Sequence, residues 1–301
     1  MSAKLIDIIT AQCSLGEGIQ WNPDDQAVWW TDINRKQLWR HHPASGQTQA
    51  IALPERLGAF AFTARDGLLL AAFASGFAFF DLTRRAPDWL HRPEAGNTGR
   101  RFNDGRVDRQ GRFWVGTMVE DAAKAGDRQG ALYCLDLDGG LSQHLDGVGI
   151  SNSICWSPDG GTFYFADTPT RTIRAWAFDR EGGQLQAERI FARTPDGAFP
   201  DGSAIDAEGC LWNAQWGAGQ VVRYRPDGGI DRVLAVPAPQ PTCVAFGGPK
   251  LDQLYVSTAR VGLDRQALRA APCAGDVFVY QLDVAGLPES RYQGRLPTLG
   301  G

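Results

Sequence analysis

One short phrase recurs six times along this chain, and its spacing limits the architectures available. The copies are VWWTDI from Val28, LLLAAF from Leu68, FWVGTM from Phe113, FYFADT from Phe163, LWNAQW from Leu211 and LYVSTA from Leu254. They return at about 40 to 50 residues, a period that belongs to toroidal repeat folds built from small sheets. Each copy is apolar or aromatic and short, as a buried strand should be.

A reversal precedes every copy: NPDDQ, ARDG, DRQG, SPDGG, DAEG and GGPKLDQ. These are turn-forming letters, in which Asp or Asn bonds the following backbone and Gly accepts a left-handed conformation. Before each reversal lies another short apolar strand. After each copy come strand-like stretches with their own turns, such as ALYCLDLDGG, IRAWAFDREGG and VVRYRPDGG. Four short antiparallel strands per repeat describe one blade, and six repeats predict an all-β fold, a six-bladed β-propeller with a central channel. The leading segment KLIDIIT is free to complete the blade that the last repeat begins, closing the ring without an open sheet edge. HRPEAGNTGR and VGLDRQALRAAPCAG lack the repeat grammar and read as loops on a face, so residues 1–301 are expected to form a single domain.

Composition narrows the function. The 301 residues carry a net charge of −4, 43% hydrophobic and 21% charged residues, and no basic run. A nucleic-acid or anionic-membrane partner would demand a basic footprint, so a small molecule is the expected partner. The N-terminus has no secretory pattern and no stretch is long and apolar enough to span a bilayer, which places the expectation in the cytoplasm, with a monomer as the simplest state. The six cysteines are scattered and form no CxxC pair; they read as buried thiols. The four histidines sit singly or among turn residues and offer no ligand cluster.

Equivalent blades bring the starts of their innermost strands to one end of the channel. Those starts carry Glu17, Asn103, Asn152 and Asp201 in four blades, with Leu57–Gly58 and Pro241–Thr242 in the other two. Four oxygen-bearing side chains converging on one axial spot, without imidazole or thiolate, suit a hard divalent cation. Turn formation is the competing reading for any single Asn or Asp, but Glu17 is a poor turn residue and the register agrees across the set. Arg101 lies two residues before Asn103, on the same side of an extended strand, where its planar fork could hold substrate oxygens or pair with a nearby acid. Glu120 and Asp121 follow FWVGTM and could fold over the channel mouth.

Taken together, LGEGIQW, RFNDGRVDRQGRFWVGTM, SNSICWSPDGGTFYFADT, PDGSAIDAEGCLWNAQWGAGQVVRY and FGGPKLDQLYVSTAR resemble the SMP-30/gluconolactonase family, which includes regucalcin and bacterial sugar lactonases. The resemblance runs from about Leu15 to Gly275, with five motifs in order. It implies one divalent cation in the channel (Ca²⁺, Mn²⁺, Mg²⁺, Fe²⁺ or Zn²⁺), held by Glu17, Asn152 and Asp201, and substrate binding by Arg101 and Asn103. It also implies an acidic residue in the substrate pocket, which Asp121 matches best and Glu120 second. Two positions depart from the family pattern, GEGI where GEGP is usual and Ser153 where glycine often follows the asparagine; both leave the implied ligands in place.

The expected reaction is hydrolysis of a hexono- or pentonolactone to the aldonic acid, with Asp201 as general base and Arg101 and Asn103 holding ring hydroxyls. Two alternatives remain. A metal-dependent organophosphate or aryl-ester hydrolase would need a more apolar pocket than this polar set predicts. A non-catalytic Ca²⁺-binding or protein-interaction propeller would show a large apolar surface patch.

Overall fold

The structure, a computed structural model, describes residues 3–126 and 129–298. Twenty-four strands form six four-stranded antiparallel sheets, one per repeat. The innermost strands are Gly16–Asn22, Leu57–Phe62, Arg100–Val107, Ser151–Trp156, Phe199–Ile205 and Pro241–Gly247, here assigned to blades 1 to 6. Each packs against the next around the ring, and blade 6 returns to blade 1, so the sheets make the six-bladed β-propeller that the repeat predicts. The recurring phrase is the second strand of every blade.

Closure is also as expected. Lys4–Ile9 pairs antiparallel with Val277–Gln281 as the outermost strand of blade 6. Asp276 secures the junction, its Oδ1 accepting hydrogen bonds from the Ala11 and Gln12 amides at 2.8 Å each.

The aspartate that opens two of the reversals has a second task inside the blade. In DRQGRFW, Asp108 Oδ1 accepts the Gln110 and Arg112 amides while Oδ2 accepts the indole of Trp114 at 2.9 Å. In DAEGCLW, Asp206 treats the Glu208 and Cys210 amides and Trp212 in the same way, the indole bond being 2.8 Å. Both tryptophans are fully buried. The turn and the large core residue six positions later are thus locked together by one carboxylate, and Arg112 and Arg223 neutralise the two buried charges. The two stretches without repeat grammar lie between strands, but VGLDRQALRAAPCAG contains a short helix, Arg265–Ala270, capped by Asp264. Among the described residues no helix is long and apolar enough to cross a membrane. All six cysteines are free and five are buried.

The inner strands share one irregularity. In each, the pairing with the second strand gains an extra residue near the channel mouth: Glu17 pairs with Thr31, yet the next pair is Gln20 with Trp29. The same shift falls between Leu57 and Ala59, Phe102 and Gly105, Asn152 and Cys155, Pro200 and Ser203, and Pro241 and Cys243. A bulge re-aims the side chains around it. Six bulges at one level create a collar at which side chains can leave the blade and face the axis. The collar is crowded: a Cβ on Gly58 would fall 2.5 Å from the Phe102 carbonyl oxygen, and one on Gly202 2.5 Å from Cys243 Sγ.

Candidate functional site

Above the collar lies a cavity of about 470 Å³, and Glu17, Arg101, Asn103, Glu120, Asn152 and Asp201 all line it. The structure therefore brings together every sequence-predicted site residue except one. Asp121 is the exception. Its side chain caps the short helix Ala122–Ala125 by accepting the Ala123 and Lys124 amides and pairs with Lys124 at 2.8 Å. The order expected for the two acids is reversed, because an aspartate at a helix N-cap is turned back onto its own backbone.

NDG, NS and DG are not turns at this level but parts of the bulges, which is why polar letters precede apolar ones in the inner strands. Gly18 and Ser153 occupy matching places after Glu17 and Asn152, with φ of 58° and 59°. Glycine fits that left-handed conformation freely, whereas Ser153 is held there by its hydroxyl, which donates to the Asp201 carbonyl at 2.6 Å and lies 3.0 Å from Ser203 Oγ. The Asn213 amide also donates to the Asp201 carbonyl, at 2.9 Å. Asp201 thus has its main chain clamped from two sides, and its side-chain Oδ1 is buried with no hydrogen-bond partner among the described residues.

The amides are differently placed. Asn152 Nδ2 donates to Thr168 Oγ1 at 2.8 Å, and Thr168 donates in turn to the Pro200 carbonyl at 2.8 Å. This fixes the amide's orientation and leaves Oδ1 facing the Asn103 amide, which donates to it at 3.2 Å. Asn103 is more fully engaged: Oδ1 accepts Arg101 Nη1 at 2.6 Å, while Nδ2 donates to the Ser151 carbonyl at 2.9 Å and to Asn152 Oδ1 at 3.2 Å. Its amide braces Arg101 and Asn152 together.

Arg101 is buried and pairs with a nearby acid inside the cavity, Nε donating to Glu120 at 3.1 Å. Glu120 Oε1 also accepts Arg56 Nη1 at 2.7 Å. Nη1 of Arg101 is spent on Asn103 and the Phe102 carbonyl, and Nη2 makes no hydrogen bond within the described chain. Burial draws the Arg101 pKa down, opposed by Glu120. Burial acts against the charge of Glu120 too, but Arg56 and then Arg101 outweigh it and hold the acid below its ordinary value.

The two acids at the floor are in the opposite condition. Burial, and next the neighbouring Asp104, push Glu17 up to about 8. Burial, then Glu17 and Asp104, raise Asp201 well above the usual carboxylate range. Asp104, behind them in the channel, accepts the Ile154 amide at 3.0 Å and is raised by burial against the pull of Arg106. Arg106 fills the channel below, bonding the Ile19 and Val244 carbonyls and Glu289.

These features test whether a divalent cation fits. Two carboxylates that repel one another in a buried place, one with an orphaned oxygen, and an amide oxygen lining the same cavity make a hard, oxygen-only donor set that a cation would neutralise. Among the described residues no His or Cys lines the cavity. Among the described residues no three His, Cys, Asp or Glu side chains gather in a ligand group, because the third oxygen here belongs to an asparagine.

The walls differ from expectation. Leu15, Met118, Ile150, Pro169, Phe199, Trp216 and Val261 surround the polar floor, so the mouth is more apolar than the polar inner-strand residues implied. Met118 and Trp216 end their copies of the recurring phrase, as Thr168 does, and Asn34 and Val261 follow within two residues. The antiparallel register brings those ends beside the starts of the inner strands, as in the pair Arg101 and Met118. The ends of the repeat were the available signal for this half of the cavity.

The family model for the SMP-30/gluconolactonase/LRE-like region matches residues 15–260. The chain belongs to that family. An L-arabinolactonase of Azospirillum brasilense is 42% identical over 284 residues, covering 93% of this chain and 93% of the relative. A pentonolactonase of Haloferax volcanii is 37% identical, covering 96% and 98%. Among solved structures, a calcium-binding protein, regucalcin, from Agrobacterium tumefaciens superposes with a TM-score of 0.90 at 35% identity, over 98% of each chain. The resemblance read from the five motifs is thereby established at the level of the family.

Proposed function

We propose that this chain is a lactonase that opens sugar aldonolactones to aldonic acids with the help of one divalent cation. The observation that carries the reading is the orphaned, buried Oδ1 of Asp201 at the cavity floor, beside Glu17 and the oriented amide of Asn152. Relatives named for arabinolactone and pentonolactone hydrolysis align over nearly the whole chain, which supports the substrate class.

Glu17, Asn152 and Asp201 would hold the cation; when bound, it supplies Lewis-acid polarisation of a carbonyl oxygen and offsets the negative charge that develops there. The chain's own residues do the rest. Arg101, its guanidinium braced by Glu120 and Asn103, presents Nη2 to ring oxygens and so sets the lactone's orientation. Asp201 accepts a proton at Oδ1 as a water oxygen bonds to the carbonyl carbon. The ring C–O bond then breaks, the proton passes to the released alkoxide, and the product is the open hydroxy acid.

Asp201→Asn keeps the shape and removes the base and one ligand charge. It should lower kcat by about 10³-fold or more, since general-base catalysis alone is worth about 10²–10⁴, with the melting temperature of the chelated protein not reduced. Wild-type turnover in this variant would refute the assignment. The apolar rim also favours a second reading, hydrolysis of aryl esters or organophosphates. Phenyl acetate and paraoxon assayed beside a pentonolactone decide between them, and the lactone should be preferred.

A further inference from the structure

Two aromatic side chains at the mouth break the pattern of the whole molecule. Of the fifteen phenylalanines, fourteen are buried in the blades, and Phe199 alone is exposed, at 36%. Of the ten tryptophans, nine pack against another aromatic ring, and Trp216 has no such partner among the described residues. Both line the cavity. They are direct cross-strand partners on blade 5, where Phe199 begins the inner strand and Trp216 ends the second.

The turn after Trp216 helps set their placement. Gly217 follows Trp216 with φ of 87°, and its amide donates to the Pro239 carbonyl at 2.9 Å. A Cβ there would lie 2.6 Å from the Gly197 carbonyl oxygen and 3.8 Å from Phe199 Cδ2. The turn therefore backs onto the Phe199 ring and carries Trp216. Phe199 stands two residues before Asp201 on the same strand, and Arg101 comes from blade 3, two blades round the ring.

An exposed Phe199 and a half-buried Trp216 beside a polar floor suit a ligand with one apolar face and one polar edge. A five- or six-membered sugar lactone has that form, with axial C–H groups on its face and oxygens at its edge. We propose that Phe199 and Trp216 form a stacking wall that receives the C–H face of the lactone ring and sets specificity for cyclic polyol esters. This inference rests on the lactonase reading and adds the residues that recognise the ring. The wall contributes binding common to the bound substrate and the transition state, because it touches neither the carbonyl nor the attacking water, and the open aldonate keeps part of the same C–H surface. Its signature is therefore in KM and not in kcat.

The test uses the metal-loaded protein, a neutral pentonolactone as substrate and its aldonate as competitive inhibitor. Phe199→Ala and Trp216→Ala should each raise KM about tenfold, one such step being about 1.4 kcal/mol, and weaken aldonate inhibition, with kcat within about threefold of wild type. Trp216→Phe keeps an aromatic face and should hold KM near wild type. Aldonate should change the wild-type indole fluorescence and leave that of Trp216→Phe largely unaltered. Should an alanine variant fold poorly, Phe199→Leu and Trp216→Leu, checked by melting temperature, make the same comparison. Unchanged KM and inhibition in folded variants, with wild-type turnover intact, would overturn the stacking wall and leave the lactonase reading standing. No turnover of any lactone by the wild type would overturn both.

Discussion

Glu17→Gln in chelator-treated protein isolates the electrostatic condition of the floor. Burial and the charge of Asp104 hold the folded-state pKa of Glu17 at about 8, against an ordinary value of 4.5. Between those values the folded protein binds a proton that the unfolded chain releases, so stability is greatest below about pH 4.5 and falls as pH rises toward 8. At pH 7 the gap from 4.5 amounts to about 3 kcal/mol at 1.36 kcal/mol per unit. Glutamine carries no proton to lose. The chelated variant should therefore match wild type near pH 4.5 and exceed it by about 3 kcal/mol at pH 7, which is on the order of 6 °C in Tm for a chain of this size. Thermal unfolding followed by circular dichroism between pH 4.5 and 8 in chelator reads the difference directly. Saturating Ca²⁺ or Mn²⁺ should reverse the order, stabilising wild type far more than the variant. A Tm difference that stays flat across this pH range would refute the argument that a buried, crowded carboxylate is kept in place at the expense of stability.

Three further outcomes follow from single contacts. Arg101→Lys keeps the charge and loses the fork that Glu120 and Asn103 brace; steady-state kinetics should show KM for aldonolactones raised by about tenfold, with a smaller change in kcat. Thr168→Val removes the acceptor that orients Asn152 and should weaken divalent-cation affinity by about tenfold or more, read by calorimetric titration. Asp276→Ala breaks the two hydrogen bonds that fasten the closing strand to blade 6; it should cost about 2–3 kcal/mol and lower Tm by about 5 °C without altering KM.

The propeller was legible because its signal is periodic. Six copies of one phrase, each behind an Asp/Gly reversal, specify six blades, and KLIDIIT supplies the strand that the last blade lacks. The floor of the cavity was legible for the same reason: Glu17, Asn103, Asn152 and Asp201 share one place in the repeat. What the repeat could not convey was the bulge, which is a property of pairing between two strands and not of either alone. Without it, NDG and DGS look like turns. The exchange of Glu120 for Asp121 has a local cause, since an aspartate preceding AAKA can cap a helix as readily as it can face a pocket. Asn103 was expected to bind substrate, yet its amide is committed to Arg101, Ser151 and Asn152. The apolar wall was missed because Met118 and Trp216 sit at the far end of the second strand, where the eye follows the apolar run and takes its last letter for core.

Acid release from pentono- and hexonolactones, followed by pH-stat with chelator-stripped protein before and after each divalent metal is restored, tests the central claim most directly. The account predicts hydrolysis of at least one such lactone well above the spontaneous rate only with metal present. Equal rates with and without metal would contradict the role given to Glu17, Asn152 and Asp201, and no release above the spontaneous rate with any pair would contradict the lactonase itself.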